Sequence, residues 1–261
     1  ADEDVIVNLN TAGTSTNGSD YGTLTRITVS AGATTGTANF TPTDDSVYEG
    51  NETAIISISS VSGADASESG SQSVTITIVE NDSTPVVTLS TSATSIAENA
   101  GTSLTLTATL SNATSEDVTV TLSTSGTGTE GTDYSTISDI TVSAGSTTGT
   151  VSFTPTDDNV YEGNETGIVA ISTVSGGSAT EDGTQSVTIT ITENENAPTV
   201  TLSTSATSIA ENAGSSLTLT ATLSVATTAD VTVGISTSGT GTEGTDYGTI
   251  SDITISAGAT T

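Results

Sequence analysis

The chain contains no cysteine, histidine, methionine or tryptophan, and its only basic residue is Arg26. Without cysteine and histidine it can form neither a disulfide framework nor the usual zinc and iron–sulfur centres, and it offers no thiol or imidazole for catalysis. A single cation cannot neutralise a run of phosphates, so we expect the chain to bind neither nucleic acid nor an anionic membrane surface. No apolar run approaches the roughly 20 residues of a membrane span, so we expect no membrane insertion of this segment.

Acidic residues are abundant. The chain has 31 Asp and Glu residues against one Arg, which gives a formal net charge of −30, and 32% of its residues are hydrophobic. Low apolar content with high net charge is typical of disordered chains. The apolar residues, however, alternate with Thr and Ser in short runs such as 103–110, and Thr is a β-branched residue that favours strands. The alternation predicts half-buried sheets with a hydroxyl-covered outer face.

The sequence is a tandem repeat. The segment VTLSTSATSIAENAG at 87–101 returns at 200–214, and TDDSVYEGNET at 43–53 returns as TDDNVYEGNET at 156–166, so the period is 113 residues. We interpret 83–195 as a complete repeat, 1–82 as a repeat that lacks its first strands, and 196–261 as a repeat that lacks its last strands. We expect the chain to be a window on a longer array, and a period of this length suits a domain with its own core.

Within the complete repeat the pattern predicts seven strands and no helix. The strands are placed at 86–90, 103–110, 117–123, 137–143, 147–153, 167–172 and 186–192. Short alternating strands separated by turn residues are typical of antiparallel sandwiches. The predicted fold is all-β, a tandem array of immunoglobulin-like antiparallel β-sandwiches with seven strands per 113-residue repeat. Its predicted core comprises Leu104, Leu106, Leu110, Val118, Val120, Leu122, Ile140, Val142, Val151, Phe153, Ile168, Val187, Ile189 and Ile191.

The acidic residues of the complete repeat gather in four connecting segments. In an immunoglobulin-type sandwich these segments meet at one end. That pole would hold Glu98, Asp133, Asp157, Asp158, Glu162, Glu165, Glu193 and Glu195. Like charges about 4 Å apart repel by roughly 1 kcal/mol per pair even in water, and the repeat has no cation of its own. A hard cation bound by oxygen ligands is therefore expected, and Ca²⁺, with about six to eight oxygens in flexible geometry, fits better than Mg²⁺.

Four motifs of the complete repeat resemble the Calx-beta repeat. They are AENAG at 97–101, GTDY at 131–134, TDDNVYEGNE at 156–165 and ENE at 193–195. This family is known from the calcium-sensing domains of sodium–calcium exchangers, from integrin β4 and from large bacterial and marine surface proteins. The resemblance covers the whole repeat and recurs in both partial ones. It implies a β-sandwich that binds Ca²⁺ at the acidic pole.

The resemblance also implies which residues are ligands. In the complete repeat they are the eight carboxylates of the pole and the backbone carbonyl of Val160. In the first repeat they are Asp20, Asp44, Asp45, Glu49, Glu52, Glu80 and Asp82. In the third repeat they are Glu211 and Asp246. The best calcium-sensing members end in consecutive Asp residues, whereas this chain has E-N-D at 80–82 and E-N-E at 193–195, so we expect fewer or weaker ions per pole.

Two other interpretations of the acidic residues are less consistent with the sequence. A surface adapted to a saline habitat would scatter acidic residues over strands, whereas here they gather in loops. A carboxylate pair could perform glycosidase chemistry, but every cluster recurs in each repeat and aromatic residues make up only 3% of the chain, so we do not expect an enzyme. Six further acidic residues are expected to be solvated loop charges: Glu116, Asp117, Glu130, Asp139, Glu181 and Asp182.

These observations favour a structural role. We expect a calcium-binding repeat segment of a large extracellular adhesin, stalk or surface filament, in which Ca²⁺ at the domain poles stiffens the array. The expected partners are neighbouring repeats of the same chain, with lateral self-association or other surface components as further candidates. The alternative is a calcium-sensing regulatory module that switches a partner. Near-identical repeats favour the stalk.

Overall fold

The computed structural model describes residues 2–261, which form strands joined by turns and contain no helix that could cross a membrane. The first repeat contributes five strands, and its four-stranded sheet has the order β2-β1-β4-β5. These strands are β1 (Val5–Gly13), β2 (Arg26–Val29), β3 (Val47–Tyr48), β4 (Glu52–Ser62) and β5 (Ser73–Ile78). An apolar groove of about 300 Å³ lies open beside Phe40 and Ile56.

The middle repeat is a two-sheet sandwich. Its strands are β6 (Val86–Thr91), β7 (Ser95–Ala97), β8 (Leu104–Leu110), β9 (Ala113–Thr114), β10 (Val118–Gly126), β11 (Ile140–Val142), β12 (Thr148–Phe153), β13 (Val160–Tyr161), β14 (Glu165–Ser175), β15 (Thr180–Glu181) and β16 (Ser186–Thr192). One sheet has the order β11-β10-β14-β16-β7 and the other β12-β8-β6-β15. The seven predicted strands are all present, and the prediction of an all-β, immunoglobulin-like antiparallel sandwich is confirmed.

The third repeat begins in the same way. Its strands are β17 (Val200–Thr204), β18 (Leu219–Leu223), β19 (Ala226–Thr227), β20 (Val231–Val233) and β21 (Ile253–Ile255). β17 pairs with β18 and β20 pairs with β21, and a small core forms around Ala221, Leu223 and Ile255.

The core of the middle repeat lies between its two sheets. Leu106, Val118, Val120, Ile140 and Phe153 are among its fully buried side chains, as the alternation predicts. Leu104, Leu122, Val151 and Val187 pack against the core but are only partly buried.

The prediction that Ile168 is a core residue is wrong. In β14 the buried positions are Gly167, Val169 and Ile171, and Ile168 is half-buried on the opposite face. The run from Ile168 to Ile171 is apolar at both parities, so alternation alone could not choose the inward face. The packing decides it, because the glycine lies directly under the ring of Phe153.

Short parallel strand pairs join neighbouring repeats. β3 pairs with β9, with Val47 opposite Ala113, and β13 pairs with β19, with Val160 opposite Ala226. The first and second joints therefore use the same positions, 113 residues apart. In each joint the acidic loop of one repeat contacts the next repeat. The acidic loops are residues 43–51, before β4, and 156–164, before β14, and they contact the segments that follow β8 and β18.

Candidate metal centre

Asp133 is held at the pole by an anchored turn. Its neighbour Tyr134 is buried and stacks on Phe153, with ring centroids 4.7 Å apart. The Asp133 carboxylate accepts a hydrogen bond from the backbone amide of Thr129 at 2.6 Å, and its own amide donates to the Thr129 carbonyl at 2.9 Å. The core aromatic and the turn together fix the direction of this carboxylate.

Glu165 and Glu162 join Asp133 in the first cluster. Glu165 opens β14, Glu162 lies in the preceding loop, and carboxylate oxygens of the three residues lie within 4.8 Å of one another. Burial, and then the charges of Asp133 and Glu162, raise the pKa of Glu165 to about 7. Burial also raises the pKa of Glu162, and nearby carboxylates add to the effect. Raised pKa values mean that no positive charge nearby stabilises the ionised carboxylates of this cluster.

A second cluster lies at the same pole. Glu98, Glu193 and Glu195 place carboxylate oxygens within 4.8 Å of one another. Glu98 is 7% exposed, and burial, followed by the charge of Glu193, raises its pKa to about 7. Oε2 of Glu195 is buried and has no hydrogen-bond partner. A buried, unpartnered carboxylate oxygen is unfavourable unless something else binds it.

Glu193 differs from its two neighbours. Its Oε2 accepts hydrogen bonds from the backbone amides of Glu162 at 2.6 Å and Gly163 at 2.8 Å. Its Oε1 accepts from the amides of Asn194 at 2.9 Å and Glu195 at 3.0 Å. Burial by itself would raise the pKa of Glu193, but the backbone amides of Glu162, Glu195 and Gly163, together with the side chain of Glu195, outweigh it and lower the pKa to about 2.

The first repeat carries a matching pole. Asp20, Glu49 and Glu52 have carboxylate oxygens within 4.8 Å of one another. Tyr21 beside Asp20 is buried and stacks on Phe40 at 4.7 Å. A small cavity of about 40 Å³ at this pole is lined by these three carboxylates together with others, including Glu80 and Asp82.

Several expected ligands lie outside these close groups. Asp44, Asp45, Asp157 and Asp158 are exposed. The second residue of each Asp-Asp pair accepts a turn hydrogen bond: Asp45 from the amide of Val47 at 2.8 Å, and Asp158 from the amide of Val160 at 2.7 Å.

The remaining expected ligands take other positions. Asp82 is half-buried at the first pole. Burial, followed by the charge of Glu80, raises its pKa. Val160 lies in the strand pair with the next repeat. Glu211 and Asp246 are both exposed, and among residues 2–261 they join no group of three acidic side chains.

The chemistry of the pole fits a hard cation. Every donor in the close groups is a carboxylate oxygen, and one of them is buried without a partner. Such oxygens suit Ca²⁺, which accepts irregular oxygen cages, better than Mg²⁺, which needs near-ideal octahedra. The residues present therefore fit a calcium ion, and two clusters at one pole provide two places for it.

The prediction that Glu130 is a solvated charge is wrong. Its carboxylate accepts from the hydroxyl of Thr124 at 2.6 Å and from the amide of Ile137 at 2.7 Å, and so it closes the turn that carries Asp133. Glu243 makes the equivalent two bonds in the third repeat. Asn17 occupies the same position in the first repeat and bonds Leu24. The signal in the sequence was the recurrence of a hydrogen-bonding side chain at this position of every repeat.

Four of the other predicted solvated charges also accept hydrogen bonds from backbone amides, and Asp139 accepts one from the amide of Leu122 at 3.3 Å. Asp117 accepts from the amide of Ala144 at 2.8 Å. Glu116 accepts from the amide of Gly177 at 3.1 Å, and Glu181 from the amide of Gln185. These carboxylates are therefore not merely solvated, because they hold loop backbone in place by hydrogen bonds.

Three solved structures are similar to parts of this chain. The crystal structure of the apo form of the Calx CBD1 domain is 18% identical and covers 42% of this chain and 99% of its own, with a TM-score of 0.36. The calcium binding domain CBD12 of CALX1.1 is 15% identical and covers 66% and 69%, with a TM-score of 0.27. Invasin, a bacterial integrin-binding protein, is 19% identical and covers 86% and 39%, with a TM-score of 0.33.

No curated protein matches the sequence. The Calx-beta domain family matches it in three tandem segments, at residues 1–82, 80–195 and 193–255. Together these segments span nearly the whole chain, and the middle one contains both carboxylate clusters of its pole. The chain belongs to the Calx-beta family.

Proposed function

We propose that the chain is a structural, calcium-binding segment of a large extracellular protein, in which repeats 1–82, 83–195 and 196–261 form part of a stalk, adhesin or surface filament. The observation that carries the proposal is the recurrence of one carboxylate cluster, at Asp20, Glu49 and Glu52 and again at Asp133, Glu162 and Glu165, beside a joint to the next repeat.

The carboxylates of the pole repel one another. Three carboxylates lie within 4.8 Å in each cluster, and their mutual repulsion raises the pKa of Glu165 in addition to the effect of burial. A bound calcium ion supplies the positive charge that the cluster lacks. Asp133, Glu162 and Glu165 would bind it on one side of the pole, and Glu98 and Glu195 on the other. Neutralised in this way, the carboxylates hold the acidic loop in one conformation.

The acidic loop is also part of the joint. Between Asp158 and Glu162 lie Val160 and Tyr161, which pair with Ala226 and Thr227 of the following repeat. At the first joint, the amide of Ser115 also donates to the carbonyl of Tyr48 at 3.2 Å. Because the same few residues carry carboxylates and contact the neighbour, an ordered loop restricts the angle between repeats. This coupling is the basis for a calcium-stiffened array.

A binding role is proposed rather than a catalytic one. The close carboxylate group recurs in successive repeats, and an array of identical reactive sites has no evident use. The proposed location is the cell surface or extracellular space, where calcium is abundant. A dissociation constant of about 10⁻⁴–10⁻³ M is typical of extracellular modules, whereas about 10⁻⁷–10⁻⁵ M would favour a regulatory calcium sensor.

Calorimetric titration and thermal unfolding test the proposal. A ligand that binds only the folded state stabilises it by mass action, so Tm should be higher in millimolar calcium than in chelator. Asp133→Asn combined with Glu165→Gln should weaken calcium binding and raise Tm in chelator, because it removes two repelling charges. Asp182→Asn, at an exposed position away from the clusters, is the matched control. It should change neither calcium binding nor Tm in chelator. Equal Tm values for the parent protein in calcium and in chelator would contradict a calcium site.

A further inference from the structure

We propose that Glu193, with its counterpart Glu80, is a positioning residue that fastens the acidic loop to the linker into the next repeat, rather than a ligand of the cation. The proposal deepens the proposed function by assigning the residue that sets the joint, and only its ion-binding measurement rests on calcium being the ligand.

The hydrogen bonds of Glu193 leave it no free acceptor site. An ionised carboxylate has about four lone-pair positions, two on each oxygen. Each oxygen of Glu193 accepts from two backbone amides, at distances between 2.6 and 3.0 Å. A cation could bind this carboxylate only by displacing amide donors that have no other partner at the pole, which is unfavourable.

The four donors come from two separate segments. Glu162 and Gly163 belong to the acidic loop, whereas Asn194 and Glu195 belong to the linker. One side chain therefore joins the loop to the linker. Asn164 adds a further bond, because its side-chain oxygen accepts from the amide of Glu193 at 3.0 Å.

The first repeat has the same arrangement. Oε2 of Glu80 accepts from the amides of Glu49 at 2.6 Å and Gly50 at 2.8 Å. Its Oε1 accepts from the amides of Asn81 and Asp82, both at 2.8 Å. The side chain of Asn51 accepts from the amide of Glu80 at 2.9 Å. The recurrence of all five bonds, 113 residues apart, shows that the arrangement belongs to the repeat and not to one loop.

The fastened segments are the two connections to the next repeat. The acidic loop reaches it through Val160 and Tyr161, which pair with β19, and the linker reaches it through the chain itself, at β17. Fixing the loop to the linker therefore closes a ring of contacts around the joint. Because Glu193 is joined to backbone amides, it holds this ring with or without a cation.

Glu195 provides a contrast within the same linker. Its Oε2 is buried and has no hydrogen-bond partner, so it is free to bind a cation, whereas Glu193 is not. Glu193→Gln replaces one acceptor oxygen by an NH₂ group, which cannot accept from the two amides that face it. Glu195→Gln is the matched control, since it removes one charge from the same cluster and leaves these amide bonds in place.

Distance measurements between spin labels test the proposal. The chain has no cysteine, so labels can be placed at the equivalent exposed positions Asn10, Ser123 and Ser236. The pair Asn10→Cys and Ser123→Cys spans the first joint, and Ser123→Cys with Ser236→Cys spans the second. Each pair is measured in the full chain, in saturating calcium and in chelator, and calcium binding is titrated separately.

We expect Glu193→Gln to broaden the distance distribution across the second joint in both conditions, while the first joint and the number of bound ions stay unchanged. Glu195→Gln should weaken calcium binding and leave the distribution in saturating calcium narrow. Glu80→Gln should broaden only the first joint. A narrow second-joint distribution for Glu193→Gln in saturating calcium, together with the loss of a bound ion, would overturn the proposal. Broadening at both joints would indicate general unfolding and would also overturn it.

Discussion

At the scale of single residues, glutamates of the same pole have pKa values that are shifted in opposite directions. The pKa of Glu98 and that of Glu165 are raised to about 7, chiefly by burial, whereas backbone amides lower the pKa of Glu193 to about 2. The difference lies in the number of donors that each carboxylate receives. Glu98 and Glu165 therefore lack stabilising partners for their ionised form, whereas the ionised form of Glu193 is stabilised by hydrogen bonds.

The raised pKa values predict how stability depends on pH without calcium. Where the folded state raises a carboxyl pKa, the stabilisation is complete below the ordinary value of 4.5 and is lost as pH rises through about 7. In chelator, Tm should therefore fall as pH rises across this interval. Glu193 acts in a different window, since its contribution is lost only as pH falls from 4.5 toward about 2.

Calcium should remove this pH dependence. A cation favours the ionised carboxylates, so binding near pH 6 should release protons. Thermal unfolding at a series of pH values, with and without calcium, checks the first effect, and calorimetry in buffers of different ionisation enthalpy checks the second. A Tm in chelator that rises steadily between pH 4.5 and 7 would contradict the assignment of Glu98 and Glu165.

At the scale of structural elements, a glycine determines how β10 ends and where the turn to Asp133 begins. Gly126 has a φ of 121°, a value that side chains with a Cβ rarely adopt. A Cβ at this position would lie 2.1 Å from the carbonyl oxygen of Thr166. The close approach of β10 and β14 therefore depends on the absence of a side chain.

Gly126→Ala and Gly239→Ala form a matched pair. Gly239 has a similar φ of 127°, but a Cβ there would meet no atom within 4 Å. The backbone strain should cost roughly 1–3 kcal/mol in both variants, and the steric clash at Gly126 should add roughly 1–3 kcal/mol. Denaturant unfolding measures the difference, and we expect only Gly126→Ala to weaken calcium binding at Asp133. Equal effects of the two substitutions would contradict this account.

At the scale of the whole molecule, the same residue positions form both joints. Val47 and Tyr48 pair with Ala113 and Thr114 as Val160 and Tyr161 pair with Ala226 and Thr227. Because a repeated contact repeats the same geometry, an array of such units should have a regular shape. The charge of −30 opposes close packing of the poles, and in the function we propose bound calcium offsets part of it.

Small-angle scattering should detect this effect. We expect the distance distribution of the whole chain to be narrower in calcium than in chelator, because the unneutralised clusters repel each other beside the joints. The amide bonds of Glu80 and Glu193 should limit the broadening in chelator, so Glu193→Gln should increase it. Indistinguishable distributions in the two conditions, with calcium binding confirmed separately, would leave the ion a local role and contradict a calcium-stiffened array.

The amino-acid sequence alone determined the 113-residue repeat and the all-β sandwich, and it predicted that the acidic loops meet at one pole. These follow from local information: the alternation of Thr with Val, Ile and Leu, the turn residues between strands, and motifs such as TDDNVYEGNE. A period-two pattern is sufficient to predict strands, and the known order of strands in a sandwich is sufficient to bring their loops together.

Only the tertiary structure decided how the pole is divided and what each carboxylate does. The sequence shows Glu193 and Glu195 as equivalent acids two residues apart, but one accepts four backbone amides and the other has a buried oxygen without a partner. The direction of backbone N–H groups in folded loops is not encoded in residue type. For the same reason the pairing of Val160 with Ala226 could not be predicted, because it depends on how two separately folded repeats meet.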